Sequence, residues 1–250
     1  MERKVIGIIP ARYDSSRFPG KPLAMILGKS MIERVYEQAR KALMLSDVII
    51  ATDDERILDE VNRFGGKVVM TSKHHTNGTE RCAEVARKLL YDVDAVINIQ
   101  GDEPIIDPTQ IDQLAEMLLD QSTQIATLKK KINDAALLDN PNIIKVVCSE
   151  SSALYFSRSA IPFNRNFPKY EWLSHIDYYK HIGIYGYQKS VLEKLVLLPP
   201  SQLELTEQLE QLRWLENGFN IRIAETTAES YSVDMPDDLE RIIELLTGLR

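Results

Sequence analysis

The sequence predicts an α/β fold, with one domain built on a mostly parallel sheet, helices on its faces and a more antiparallel part inserted in the second half. Three observations lead there. Short apolar runs at residues 5–9 and, interrupted only by Asn98, at 95–99 read as strands buried on both faces. In the first half such runs alternate with segments of helical periodicity, which implies right-handed crossovers between parallel strands. After about residue 120 the alternation stops, and strand-like runs follow one another without long helices between them.

Taken in order, residues 5–10 form the first strand and 30–43 an amphipathic helix. Residues 48–51 are a short apolar strand, and Thr52-Asp53-Asp54 supplies a helix N-cap. Ile57, Leu58, Val61 and Phe64 recur at helical spacing until Gly65-Gly66 stops the helix. A strand at 67–70, a helix at 79–90, a strand at 95–99 and a helix at 108–119 continue the pattern. Beyond it, 125–132, 143–148 and 153–157 read as strands, 164–179 as a polar, aromatic-rich loop excursion, and 181–187 as a strand with alternating faces. Ser201 and Glu204 form a capping box, opening a helix whose stripe of Leu205, Leu209 and Leu212 ends near Asn217-Gly218. A strand at 221–224 and a helix at 236–246 close the chain.

The 250 residues are 44% hydrophobic, enough for a sizeable core. With 30 Lys and Arg against 37 Asp and Glu, the net charge of −7 argues against nucleic acid or an anionic membrane as the main partner. No apolar run approaches the ~18 residues of a membrane span, and no signal-peptide core follows Met1-Glu2-Arg3-Lys4. A cytoplasmic protein is expected. Cys82 and Cys148 are far apart and form no zinc or redox pattern, which suits two buried thiols in a reducing compartment.

An anionic ligand therefore needs a local basic pocket, and the loop after the first strand offers one. It carries Arg12, Ser15, Ser16, Arg17 and Lys21 around a Pro19-Gly20 turn. It lacks the glycine spacing of a P-loop or a dinucleotide fingerprint. Arg12 can fork two phosphate oxygens and Lys21 can act as a point charge; a solvated basic loop is the competing reading. Asp102, in Gly101-Asp102-Glu103-Pro104 after a strand, suits Mg²⁺, which takes one or two carboxylates and fills its shell with phosphate and water. A turn or N-cap aspartate is the alternative there. Glu103, with its longer side chain, is expected to point to solvent or bond a neighbour. Asp234 reads first as an N-cap paired with Asp237, or else as the second metal contact. His181, Gly183, Tyr185 and Tyr187 share one strand face, which suits a polyhydroxylated ligand, or simply a half-buried sheet. His74 and His75 are adjacent and diverge, and no spacing suggests a covalent nucleophile.

These residues fall within an ordered series of motifs. The series runs through Ile9-Pro10-Ala11-Arg12, Pro19-Gly20-Lys21-Pro22-Leu23, Ala51-Thr52-Asp53, Asn77-Gly78-Thr79-Glu80-Arg81 and Asn98-Ile99-Gln100-Gly101-Asp102-Glu103-Pro104. It continues with Ala153-Leu154-Tyr155-Phe156-Ser157-Arg158, His181-Ile182-Gly183-Ile184-Tyr185-Gly186-Tyr187, Leu209-Glu210-Gln211-Leu212-Arg213 and Val233-Asp234-Met235-Pro236-Asp237-Asp238-Leu239. Together they cover essentially the whole chain, which resembles the 3-deoxy-D-manno-octulosonate (KDO) cytidylyltransferases, or CMP-KDO synthetases.

The resemblance implies a Rossmann-like nucleotidyltransferase fold, with residues 1–120 and 220–250 as nucleotide core and 121–219 as the sugar-acid and dimerisation part. It implies a homodimer that uses CTP, KDO and Mg²⁺ in lipopolysaccharide biosynthesis. Arg12, Lys21, Asp102 and Asp234 are implied as catalytic, and Asp102 and Asp234 as metal ligands. Ala11, Arg12, Ser16, Lys21, Thr71, Lys73, Asn77 and Gln100 are implied at the nucleotide, and Arg158, His181, Tyr185, Glu210 and Gln211 at the sugar acid. The chain departs from many members at Lys73, where they carry Arg, and at Asn77, where they carry Ser. The expected reaction is attack of the anomeric hydroxyl of KDO on the α-phosphorus of CTP, with loss of pyrophosphate. A cytidylyltransferase for 8-amino-KDO or a sialic acid, and an inactive nucleotide-binding regulator of the same fold, are the alternatives. A GT-A-type glycosyltransferase would mostly carry Asp-x-Asp where this chain has Gly101-Asp102-Glu103.

Overall fold

Apolar strands organise the first half of the chain in the computed structural model, which describes residues 3–14 and 17–248. Ser15 and Ser16 lie outside the described residues. β1 (Val5–Ala11) leads to a small hairpin, β2 (Met25–Ile26) and β3 (Lys29–Ser30), and then α1 (Met31–Ala39), β4 (Asp47–Thr52) and α2 (Glu55–Arg63). β5 (Val68–Met70), α3 (Gly78–Lys88), β6 (Ala95–Asn98) and α4 (Pro108–Leu119) follow. The four main strands lie parallel in the order β5-β4-β1-β6, with Ile6 opposite both Asp47 and Val96. Each of these four helices starts on a side-chain cap. The oxygens of Ser30, Asp54, Asn77 and Asp107 accept from the backbone N–H of Glu33, Arg56, Glu80 and Thr109.

The second half contains β7 (Ile125–Lys131), α5 (Ala136–Asp139), β8 (Lys145–Ser149), β9 (Ser152–Ser157), α6 (Trp172–His175) and β10 (Tyr179–Gln188). It ends with α7 (Lys189–Leu195), α8 (Gln202–Glu207), α9 (Glu210–Glu216), β11 (Ile221–Glu225) and α10 (Asp238–Thr247). β10 joins the halves. It runs antiparallel to β6, with Tyr185 opposite Asn98, and antiparallel to β7, with His181 opposite Lys129. Its first residues also pair with β8. Because β7 pairs with β11, β11 with β9 and β9 with β8, these five strands close on themselves.

The period-two pattern of the strands divides the core. Ile6 and Ile8 pack with Cys82 and Val85 of α3, Leu192 of α7 and Trp214 of α9 on one face of the sheet. Val5 and Ile9 pack with Ile32 and Val35 of α1, Ile57 of α2 and Leu114 of α4 on the other. No helix among the described residues is long and apolar enough to cross a membrane.

Some expectations differ from what is found. The helix expected from Ser201 to Asn217 is broken at Gln208, whose φ of 54° is left-handed. Leu209 and Leu212 therefore enter the core while Leu205 stays 59% exposed. The 164–179 excursion is more ordered than a loop: it contains α6 and buries Trp172 and Tyr178 against Ile132 and Leu138. The final helix begins at Asp238, two residues later than expected. The hairpin β2–β3 and helix α7 were not foreseen. The hairpin turns through Leu27 and Gly28, both at positive φ, and leucine is not a usual residue for the first of those positions.

Candidate active site

Where β1, β5 and β6 end, their loops, the first turn of α3 and Asp234 line a cavity of about 270 Å³. Ligands bind at this edge in open α/β sheets. The structure brings Ala11, Arg12, Lys21, Asn77, Gln100, Asp102 and Asp234 onto its walls.

The first wall is cationic. Arg12 follows β1 directly, is exposed, and carries no ion pair among the described residues. Gly20, at φ 71°, turns the loop over the Tyr13 ring, where a Cβ would come within 3.1 Å of ring carbon. That turn sends Lys21 inward. Its side chain is only 15% exposed, and Nζ donates to Asp102 Oδ2 at 2.7 Å and to the Val233 carbonyl at 2.7 Å.

Asp102 reaches this ammonium because Gly101 lets its loop lie on the first one. A Cβ at 101 would stand 2.6 Å from the Pro10 carbonyl oxygen. Of the competing roles for Asp102 the N-cap is removed, since Asp107 caps α4, while Asp102 does lie in a turn. Asp234 is not a cap either. Asp238 accepts the backbone N–H of Asp234 and of Met235 at 2.8 Å each, and Asp237 occupies the N-cap position of α10. The Asp234 carboxylate instead meets Arg17 Nη2 at 3.0 Å and Lys21 Nζ at 3.9 Å. The Val233 N–H donates to the Asp102 carbonyl at 2.9 Å, tying the two acidic segments together. Glu103, expected to reach solvent or a neighbour, is 5% exposed; burial pushes its carboxyl up to about 7, against a bond from Ser230.

This donor set fits Mg²⁺. Two carboxylates face one polar cavity beside cations suited to phosphate, and the ion completes its shell from substrate oxygens and water. Among the described residues no three His, Cys, Asp or Glu side chains form a closed metal cage.

The opposite wall is residues 75–78 and the start of α3. Asn77 faces the cavity while its Oδ1 caps the helix. Glu80 accepts the Thr76 N–H at 2.8 Å, and Glu84 accepts the Ser72 N–H at 2.9 Å and meets His75. Burial alone would raise Glu84, but Lys88, the Ser72 N–H and His75 hold it down at about 2. Thr71 and Lys73 do not line the cavity. The Thr71 hydroxyl turns to the Thr52 carbonyl, and Lys73 is exposed. Arg17, His75 and Arg81 line the cavity without having been singled out as site residues in the sequence. Arg81 could have been found from its place on the buried stripe of α3, where a charged side chain needs a partner.

The five residues expected at the sugar acid lie off this cavity, on the adjoining side. Gln100 links the two regions, its Nε2 donating to the Gly183 carbonyl at 3.1 Å. His181 meets Thr127 Oγ1 at 2.9 Å, and burial pushes its imidazole down to about 3, so it is neutral. The Tyr185 ring packs on His181 and Trp214, and its buried hydroxyl has no hydrogen-bond partner. Glu210 accepts from Thr79 Oγ1 at 2.9 Å, and burial raises its carboxyl to about 7. Gln211 is buried beside it. Arg158 gives its guanidinium to three backbone carbonyls, those of Glu207 at 2.7 Å, Pro141 at 3.0 Å and Gln208 at 3.3 Å.

Residues 6–244 match the family model described as cytidylyltransferase. A 3-deoxy-manno-octulosonate cytidylyltransferase from Bacteroides thetaiotaomicron is 53% identical over 247 residues, covering 97% of this chain and 98% of the relative. A solved CMP:2-keto-3-deoxy-manno-octonic acid synthetase complexed with CTP superposes with a TM-score of 0.91 at 43% identity, covering 99% of this chain and 100% of that one. The fold alone extends further, to a 4-diphosphocytidyl-2C-methyl-D-erythritol synthase from Anaerococcus prevotii at 11% identity and a TM-score of 0.65, covering 98% of this chain and 96% of that one. With motif order, cavity and full-length similarity in agreement, the chain belongs to the cytidylyltransferase family, among the 3-deoxy-manno-octulosonate cytidylyltransferases.

Proposed function

We propose that the protein converts CTP and KDO to CMP-KDO and pyrophosphate. The observation that carries this reading is that Arg12, Lys21, Asp102 and Asp234 meet at one cavity on the carboxyl edge of the parallel strands. They do so in a chain 53% identical over nearly its whole length to a cytidylyltransferase for that sugar acid.

Arg12 offers the triphosphate a planar fork and Lys21 a compact charge. The first turn of α3, which reaches the cavity at Gly78, adds the positive end of the helix dipole. Asp102 and Asp234 would hold Mg²⁺, whose chemistry when bound is to offset phosphate charge and to acidify a coordinated hydroxyl. Gln100, reaching from the end of β6 to Gly183, fixes the spacing between the nucleotide and sugar sides. His181, being neutral, serves as a hydrogen-bonding partner and not as a cation. With both substrates held, the anomeric hydroxyl attacks the α-phosphorus in line and pyrophosphate leaves with the P–O electron pair.

We place the enzyme in the cytoplasm, in keeping with its free Cys82 and Cys148. Residues 1–120 and 220–250 serve the nucleotide, and 121–219 serve the sugar acid and a homodimer contact. Exposed Leu154, Phe163 and Tyr170 in that second part support the contact, and sedimentation of a Phe163→Asp variant tests it. The activity test is pyrophosphate release from CTP and Mg²⁺ with KDO, 8-amino-KDO and a sialic acid in parallel. Release with KDO and a CMP-KDO mass is expected. Folded protein that releases none overturns the proposal, and release with another acid alone reassigns the substrate.

A further inference from the structure

Arg81 is 4% exposed and stands on the sheet-facing side of α3, yet part of it lines the nucleotide cavity. A charge buried that deeply is costly unless its hydrogen bonds are met. They are met by the ends of two strands. Nη2 donates to Asp53 Oδ2 at 2.6 Å, just past β4. Nη1 donates to Thr71 Oγ1 at 2.8 Å and to the Ser72 carbonyl at 3.3 Å, just past β5. Thr71 passes the connection on, its hydroxyl donating to the Thr52 carbonyl at 3.1 Å.

The fold does not need this arginine to join these elements. β4 and β5 already pair from Ile50–Val68 to Thr52–Met70, and the Thr71 N–H extends the ladder to the Thr52 carbonyl at 2.8 Å. α3 is already anchored by Cys82, Ala83, Val85 and Ala86 in the core. A well-packed apolar residue at 81 would serve packing as well. What the guanidinium adds is direction. It fixes where the chain leaves β5, and with it the course of the segment whose residues 75–78 form the wall facing Arg12 and Lys21.

We infer that Arg81 is a positioning residue that, by holding residues 71 and 72, preforms the 75–78 wall of the cavity for CTP. The inference rests on CTP being the nucleotide, and not on the identity of the acceptor. Glu80 and Glu84 hold the same segment from the solvent side of α3, so Arg81 acts as the inner of two straps.

The test measures equilibrium CTP binding with Mg²⁺ and no acceptor, together with steady-state kinetics, for wild type, Arg81→Lys and Arg81→Met. In Arg81→Met the Kd and KM for CTP are expected to rise about tenfold or more, with kcat at saturating CTP and KM for KDO within about threefold of wild type. Arg81→Lys should recover part of the affinity, because an ammonium can keep Asp53 but cannot also fork to Thr71 and Ser72. Unchanged CTP affinity in folded Arg81→Met overturns the inference, whatever its melting temperature. So does a collapse of kcat with CTP affinity intact. Should Arg81→Met not fold, Thr71→Val carries the same expectation at smaller size, and unchanged CTP affinity there also overturns it. Wild type that binds CTP but does not turn over KDO refutes the acceptor assignment alone, and wild type that does not bind CTP refutes the nucleotide reading.

Discussion

Asp102 owes its position to the residue before it. Gly101 lets the acidic loop rest on the Pro10 carbonyl, and Asp102 can then meet Lys21 across the cavity. Gly101→Ala should therefore displace the loop. We expect a loss of about 1–3 kcal/mol in urea unfolding together with reduced pyrophosphate release. Asp102→Asn keeps shape and removes charge, so turnover should fall by roughly 10²–10³-fold with the melting temperature little changed. Near-normal turnover would remove Asp102 from the metal role. At this scale the placement at the cavity was legible for Arg12, Gln100 and Asp102, polar residues in loops that open from apolar strands, but not for Thr71, which follows β5 and turns its hydroxyl to the Thr52 carbonyl instead. Arg81 escaped because its partners, Asp53 and Thr71, are 28 and 10 residues away, and only folding places them against one guanidinium.

Elements with local causes were equally legible. α4 begins and ends at residues 108 and 119 as expected, because Asp107 and Pro108 form a complete start signal in adjacent positions. The break between α8 and α9 has a distant cause. Residues 201–217 carry a capping box and a leucine stripe that favour one continuous helix. Arg158, some 50 residues earlier in the chain, binds the carbonyls of Glu207 and Gln208 and holds the left-handed turn. A positive φ costs glutamine what it does not cost glycine. Gln208→Gly should thus stabilise the protein by up to about 1 kcal/mol, seen as a rise in melting temperature.

Across the whole molecule, partly hidden carboxyls give stability a pH signature. Glu210 titrates at about 7 in the folded protein against an ordinary 4.5, so the folded state holds more protons between those values. Stability from this group is complete below about 4.5 and is lost as pH rises through about 7. Glu210→Gln should remove that loss. The melting temperature of the variant relative to wild type should climb across the same window and level off beyond it, as read by thermal unfolding at a series of pH values. The closure of the second-half strands was not legible, since periodicity reports which residues face a core and not which distant strand pairs with which.

β10 has a mechanical consequence. Its early residues pair with β7 and β8 and its later ones with β6 and β7, but between Ile182 and Tyr185 the ladder to β7 shifts register, and neither β6 nor β8 pairs with Gly183 or Ile184. A beam that runs through both halves with one loose joint confines any swing of one half upon the other to that joint. Gln100 clasps the strand at that joint, on the Gly183 carbonyl, so a change there would alter the spacing between nucleotide and sugar acid while the ladders on either side stay paired.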